Sequence, residues 1–186
     1  MAIVYKNCDE IVIPQHVCDD CVGGESGGIR SIALIQKDFN LTNITTAAAW
    51  LAGIESGDII IVPSTRGTFD GGSAVTAAGY GDLAQVTTGY NFTLTARDPS
   101  YKQNQTFWNL IKGRKDLKVA YRTKSLIHIS DVPASITPTN PVEEGLETVV
   151  DWQVTFTWTS ANLPEPYDAT ALLIEVFSCF EVEAEP

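Results

Sequence analysis

Beyond residue 124 the chain contains no lysine or arginine. Residues 125–186 carry 11 of the 23 acidic residues and none of the 12 basic ones, so the whole formal net charge of −11 lies in the last third. That absence argues against general nucleic-acid binding, whose affinity comes from counterion release by Lys and Arg. An acidic wall lets DNA slide past without sticking. Long apolar runs are also missing. None reaches 18 residues, so no helical membrane span is expected. The opening residues, Met1 to Asp9, show no basic segment followed by an apolar stretch. A secretory signal is therefore not expected, and folding in a cytoplasm is. The Asn-x-Thr sites at Asn40, Asn43, Asn91 and Asn104 would then stay unmodified.

Groups for catalysis are scarce too. There are two histidines, His16 beside a cysteine loop and His128 between Ile127 and Ile129. A lone histidine in a strand is more often structural than catalytic. HExxH does not occur, which removes the zincin signature. Gly23-Gly24-Glu25-Ser26-Gly27-Gly28 lacks the Lys-Ser/Thr of a phosphate loop and precedes a strand, so no helix dipole backs it. Gly79-Tyr80-Gly81 fails the dinucleotide pattern for the same reason. Glu143-Glu144 sits in a linker where nothing would desolvate it. With no nucleophile, base and orienter in view, a non-enzymatic role is expected.

What is present suffices for a core: 44% of residues are hydrophobic and 19% charged. No repeat is visible. Residues 10–13 predict a short strand ended by Pro14, and 18–28 a loop. Residues 29–36 (IRSIALIQ) predict a buried strand, 43–51 a short helix capped by Asn43 or Thr45 with Gly53 past its end, and 58–62 a strand stopped by Pro63. Residues 64–82 hold five glycines and weak periodicity. They read either as a hairpin that orders only against a neighbour or as a flexible loop. In 85–96, Tyr90, Phe92, Leu94 and Ala96 face one way and Asn91, Thr93 and Thr95 the other, the mark of a half-buried strand.

The clearest helix follows. Asp98 is its expected N-cap, Pro99 its first turn, and Gly113 its stop. Tyr101, Phe107, Trp108, Leu110 and Ile111 form its apolar stripe. Residues 118–124 predict a returning strand that continues extended through 130. Pro133, Pro138 and Pro141 punctuate a linker. In 148–160, Trp152, Val154, Phe156 and Trp158 alternate with Gln153, Thr155, Thr157 and Thr159, a strand of plain period two. Residues 171–180 predict a last strand. The expected fold is α+β and mostly antiparallel β, a β-sandwich or barrel with one helix packed across a sheet and a long assembly loop.

Cys18-Asp19-Asp20-Cys21 is a CxxC knuckle able to hold two tetrahedral metal positions. Cys8 could add a third ligand, and Cys179 or His16 a fourth. A second CxxC is absent, so free thiols are the preferred state, with structural zinc and disulfides as alternatives and no cofactor required. Redox use is disfavoured, because a redox CxxC opens a helix after a strand and this one leads into glycines. Basic residues Lys102, Lys112, Arg114, Lys115, Lys118, Arg122 and Lys124 gather around a single acid, Asp116. They form either a solvated face or a surface complementary to the acidic third, which would fix register between subunits.

Several segments together resemble phage tail-tube-like proteins, the superfamily of tail tubes and tail hub or ring components. They are Ser64-Thr65-Arg66-Gly67-Thr68-Phe69-Asp70-Gly71-Gly72, Gly79-Tyr80-Gly81-Asp82, Thr88-Gly89-Tyr90, Asn104-Gln105-Thr106-Phe107-Trp108-Asn109-Leu110 and Asp151-Trp152-Gln153-Val154-Thr155-Phe156-Thr157-Trp158. The likeness is one of order and texture. The texture is also similar to virion proteins of phages of Bacteroides-type gut hosts, the crAss-like group. The resemblance implies rings of subunits whose sheets join edge to edge, with the long loop reaching a neighbouring ring and DNA passing a lumen without specific binding. It implies a tail-tube-like β domain over 29–180; the N-terminal region departs from the family pattern, so residues 1–28 are expected to be an added cysteine-containing arm, and 181–186 an acidic tail. Arg66, Phe69, Tyr80, Lys112, Arg114 and Lys115 are the expected assembly residues. The expected partners are further copies and other virion proteins, and the expected location is the virion, in the tail before the head. A head-fibre or capsid decoration protein on the capsid exterior is the alternative. A carbohydrate-binding module is a further one, if Trp108, Trp152 or Trp158 were exposed to stack sugars; their amphipathic spacing points to the core instead.

Overall fold

Two kinds of hydrophobic pattern build two kinds of sheet. In this computed structural model, residues 27–63, 65–79, 84–142, 150–172 and 176–177 are described. Their elements, in chain order, are β1 (Ser31–Gln36), α1 (Ala47–Ser56), β2 (Ile59–Val62), β3 (Arg66–Phe69), β4 (Ser73–Ala77), β5 (Val86–Asp98), α2 (Gln105–Ile111), β6 (Leu117–Arg122), β7 (Leu126–Ile129), β8 (Ser135–Thr139), β9 (Trp152–Ser160) and β10 (Pro166–Asp168). One sheet has the order β10-β7-β6-β1-β2. The other has the order β3-β5-β9-β8, with β4 also on β5. All pairings are antiparallel. The chain is thus α+β and mostly antiparallel β, two sheets with two short helices.

The second sheet buries one face only, and its strands alternate accordingly. Phe92, Leu94 and Ala96 of β5 and Val154, Phe156 and Trp158 of β9 point inward; the residues between them point to solvent. They meet Ile32, Leu34, Val119 and Tyr121 of the first sheet. The first sheet is covered on its other face too. Ala33, Ile35, Ile59, Ala120 and Ile127 pack beneath Trp50 of α1 and beside Leu172 and Phe177. That double burial explains why β1 reads as an unbroken apolar run. The Trp50 indole donates to the Ile44 carbonyl at 2.9 Å and its ring meets Phe177 edge-on.

The sheets are stitched at two corners. Ile29, just before β1, bridges Gly67 of β3, and Ala134, just before β8, bridges Leu117 of β6. β3 and β8 are the lateral edges of the second sheet, and β1 and β6 are the central pair of the first. Its edges therefore meet opposite ends of that pair, so the sheets cross rather than run alongside each other.

Several expectations need correction. The first helix starts at Ala47 after Thr46 and ends at Gly57, whose φ of 79° only glycine adopts easily; Gly53 lies inside it, buried. The second helix is shorter than its apolar stripe suggested. It begins after Asn104, and Leu110 is 73% exposed. Asp98 does not cap it. Its buried carboxylate closes β5 by accepting from the Ser100 amide at 2.9 Å, Asn104 Nδ2 at 2.6 Å and Trp108 Nε1 at 2.8 Å. Residues 125–130 do not continue extended from the preceding strand but turn back on it as β7. The proline-marked linker contains β8. The Ile136 carbonyl points away from β9 to the Gly113 amide, so the Pro138 nitrogen two residues on also faces outward, where an edge strand tolerates it. The expected last strand begins instead as a 3₁₀ turn, Thr170–Leu172, with a further turn at 176–177. The predicted strand at 10–13, the arm over 1–28 up to residue 26, and the acidic tail lie outside the described residues.

Asp98 is the polar pin of this core. Asp98→Ala would strand three donors and cost about 3 kcal/mol. Urea unfolding should show a lower midpoint with an unchanged slope, and Asp98→Asn should lose less.

Candidate functional site

The features that stand out among the described residues are edges. β5 is 13 residues long, but β9 pairs only with Tyr90–Asp98. The first four residues of β5, 86–89, run on past the end of β9 for about 13 Å at 3.3 Å per residue. β4 accompanies them, in the register Ala74↔Tyr90, Val75↔Gly89, Thr76↔Thr87 and Ala77↔Val86. The result is a two-stranded ribbon projecting beyond the sheet.

The ribbon is rooted by a bulge. β3 and β4 lie along the same side of β5, opposite β9, as one edge strand broken at residues 70–72. Phe69 pairs with Leu94 and Ser73 with Asn91, so three residues of one strand face two of the other. Asp70 Oδ1 clamps the break by accepting from the Gly72 amide at 2.9 Å and the Thr93 amide at 3.0 Å. Gly72 has φ of 91°, and a Cβ there would stand 2.4 Å from Phe92 Cε1. The described part of the 64–82 segment is therefore strand at 66–69 and 73–77, and it needs no other chain as a pairing partner. β5 of the same chain supplies that partner.

What the chain leaves open is the outside of the ribbon. Among the described residues no strand pairs with the far edge of β4, or with residues 86–88 of β5 on the β9 side. Edge strands are usually protected by Lys, Pro or inward charges. Between Asp70 and Arg97 the only charged residue is Asp82, and no proline occurs. Ala74, Thr76, Ala77, Thr87 and Thr88 are exposed, and Val86 is 59% exposed. The side chains are small on both faces, so the ribbon has no apolar side with which to fold back. An isolated two-stranded ribbon of this kind is marginal in water.

The expected assembly residues do not gather into one patch. Arg66 is exposed at the root of the edge strand. Phe69 is committed to its own core, stacked on Phe92 and Trp158 and tilted against Tyr121. Tyr80 lies outside the described residues. Lys112, Arg114 and Lys115 are exposed on the turn after α2, which the Gly113 amide ties to β8, the opposite edge of the same sheet. Arg114 Nε donates to Asp116 Oδ1 at 2.9 Å, and this pairing holds the Asp116 carboxyl below its usual range. Arg122 is not part of a basic face. Its guanidinium bonds Ser31 Oγ at 2.9 Å and lies over the Phe177 ring, and burial lowers its pKa.

Other candidates resolve as packing. Trp108, Trp152 and Trp158 are at most 5% exposed, so none can stack a sugar. His128 stacks nearly parallel on the ring of Tyr121, whose phenol is pushed up by burial. All four cysteines and His16 lie outside the described residues. Among the described residues, no cluster of three His, Cys, Asp or Glu groups could hold a metal ion. No helix there is long and apolar enough to cross a membrane.

The bulge is the ribbon's hinge, and Asp70 holds it. Asp70→Ala should cost about 1–2 kcal/mol for two lost amide acceptors. Hydrogen exchange should speed up across β4 while the amides of β9 keep their protection.

No family model, no curated protein and no solved structure matches the chain.

Proposed function

We propose that this chain is a non-enzymatic structural subunit that assembles with further copies of itself through the β4–β5 ribbon, in a phage tail tube, hub or ring. One observation carries the reading. A neutral, proline-free ribbon extends past its own sheet with both edges unpaired among the described residues. Such an edge is a template for strand addition from another chain. Closing a ring removes the edges that a lone subunit leaves.

Two further features agree with it. The ribbon's root and the basic turn at Lys112, Arg114 and Lys115 lie on opposite edges of one sheet. Surfaces placed this way suit head-to-tail contacts, which generate rings or tubes, better than a two-fold dimer. The last third of the chain, acidic and free of Lys and Arg, suits a wall that DNA passes without adhering. A capsid-exterior role as a head fibre or decoration protein would use the same ribbon as an anchor. The location of the chain in particles distinguishes the two, and cryo-electron microscopy of virions would read it directly.

The assembly test needs only the purified chain. Native mass measurement of the wild type should find discrete oligomers. Ala74→Lys with Thr76→Lys should yield monomers of unchanged melting temperature, because charge on an open edge blocks pairing without touching the core. A wild type that stays monomeric at high concentration, or a double variant that assembles equally well, refutes the proposal.

A further inference from the structure

The solvent face of the second sheet is a second unexplained surface. Its strands place side chains in rows across the sheet: Arg66, Arg97, Gln153 and Thr139 in one, Thr68, Thr95, Thr155 and Thr137 in the next, then Thr93, Thr157 and Ser135. In a chain of net charge −11 these rows contain no carboxylate. The first row is unusual. Arg66 and Arg97 stand directly opposite each other on paired strands, with Cβ atoms about 5 Å apart, and like charges placed this way cost stability. Arg66 makes no salt bridge among the described residues, and Arg97 has only a loose one, 3.7 Å from Asp151, with its side chain 61% exposed.

A cleft of about 450 Å³ opens at this end of the face, lined by Arg66, Thr68, Arg97, Thr139, Gln153 and Thr155 along with backbone of neighbouring small residues. Two guanidinium groups and the Gln153 amide line it; the Thr139 hydroxyl donates to the Gln153 backbone carbonyl at 3.0 Å, and the Thr68 and Thr95 hydroxyls bond each other at 2.8 Å. Two forks on adjacent strands can grip one oxyanion from two sides. An anion also relieves the repulsion between the two arginines.

We propose that this cleft is an oxyanion-binding site for a phosphate or sulfate group, held by Arg66 and Arg97 with the Gln153 side-chain amide completing the donor set. The ligand is the free oxyanion or a small molecule that carries it. Asp151 is a built-in competitor for Arg97. The site is on the face of the sheet and not on the ribbon, so it stands whether or not the ribbon drives assembly.

The experiment is a titration of the full chain, by calorimetry and by amide chemical shifts, with inorganic phosphate, sulfate and a sulfated disaccharide beside its unsulfated form. Saturable binding is expected, with shifts centred on Arg66, Arg97 and Gln153. The R66Q/R97Q double variant should bind about tenfold more weakly or worse, since each charge-assisted pair is worth at least that factor. Asp151→Asn should bind more tightly than the wild type, a gain that loss of structure cannot mimic. Tighter binding of the sulfated disaccharide than of sulfate marks a small-molecule carrier, and equal binding marks the free oxyanion. Absence of saturable binding by every probe, or binding unchanged in R66Q/R97Q, overturns the proposal.

Discussion

The antiparallel pairing of β5 with β9 is the constraint on which the rest of this structure depends. It joins Tyr90–Asp98 to Trp152–Ser160 across more than fifty residues of chain. One register sets every side chain on these strands. Phe92 meets Trp158 and Leu94 meets Phe156 on the inner face, while Thr93 meets Thr157 and Thr95 meets Thr155 outside. A slip of one residue would turn the aromatic layer to solvent and bury the threonines. The cost would reach several kcal/mol, since each large side chain is worth about 1.5–3 kcal/mol buried. Both ends of the strand pair are then fixed. At one end Asp98 takes the Trp108 indole and anchors α2; at the other, β5 outruns its partner.

That overrun is what turns a fold into a candidate interface. β4 follows β5 past the end of β9 because the bulge at residues 70–72 lets the edge strand continue after Phe69 has turned its ring into the core. The ribbon pairs between its own two strands, with a register shift between Val75 and Thr76, and among the described residues no strand pairs outside them. Its composition lacks the devices by which edges are made safe. The opposite edge shows one of them in use, with Pro138 on the outer side of β8 and the turn after α2 tied across it. Among the described residues one edge is blunted and one is unpaired, an asymmetry that suits the directional assembly proposed above.

Legibility in the sequence followed burial. Where one face alone is buried, as in β5 and β9, period two was plain and both strands were placed within a few residues. Where both faces are buried, as in β1, the run read as a buried strand but said nothing of which residues meet α1. The apolar stretch from residue 171 misled for the same reason. Leu172 and Phe177 cover the far side of the first sheet from turns, and an apolar run carries no sign of that. The segment at 64–82 was ambiguous because β3 and β4 alternate weakly. Their order comes from a partner strand some twenty residues later, which no local pattern encodes. The Arg66–Arg97 pair was invisible before registers were known; Arg66 stood out only through the resemblance to tail-tube-like proteins.

Completion of the exposed ribbon by a second chain is the central proposal, and hydrogen exchange at rising protein concentration measures it directly. The amides of Ser73–Ala77 that point away from β5 should exchange fast in dilute solution and become protected as concentration increases, while the paired amides of Trp152–Ser160 stay protected throughout. Protection of those outward amides already complete at the lowest concentration, or exchange that never slows, would contradict it.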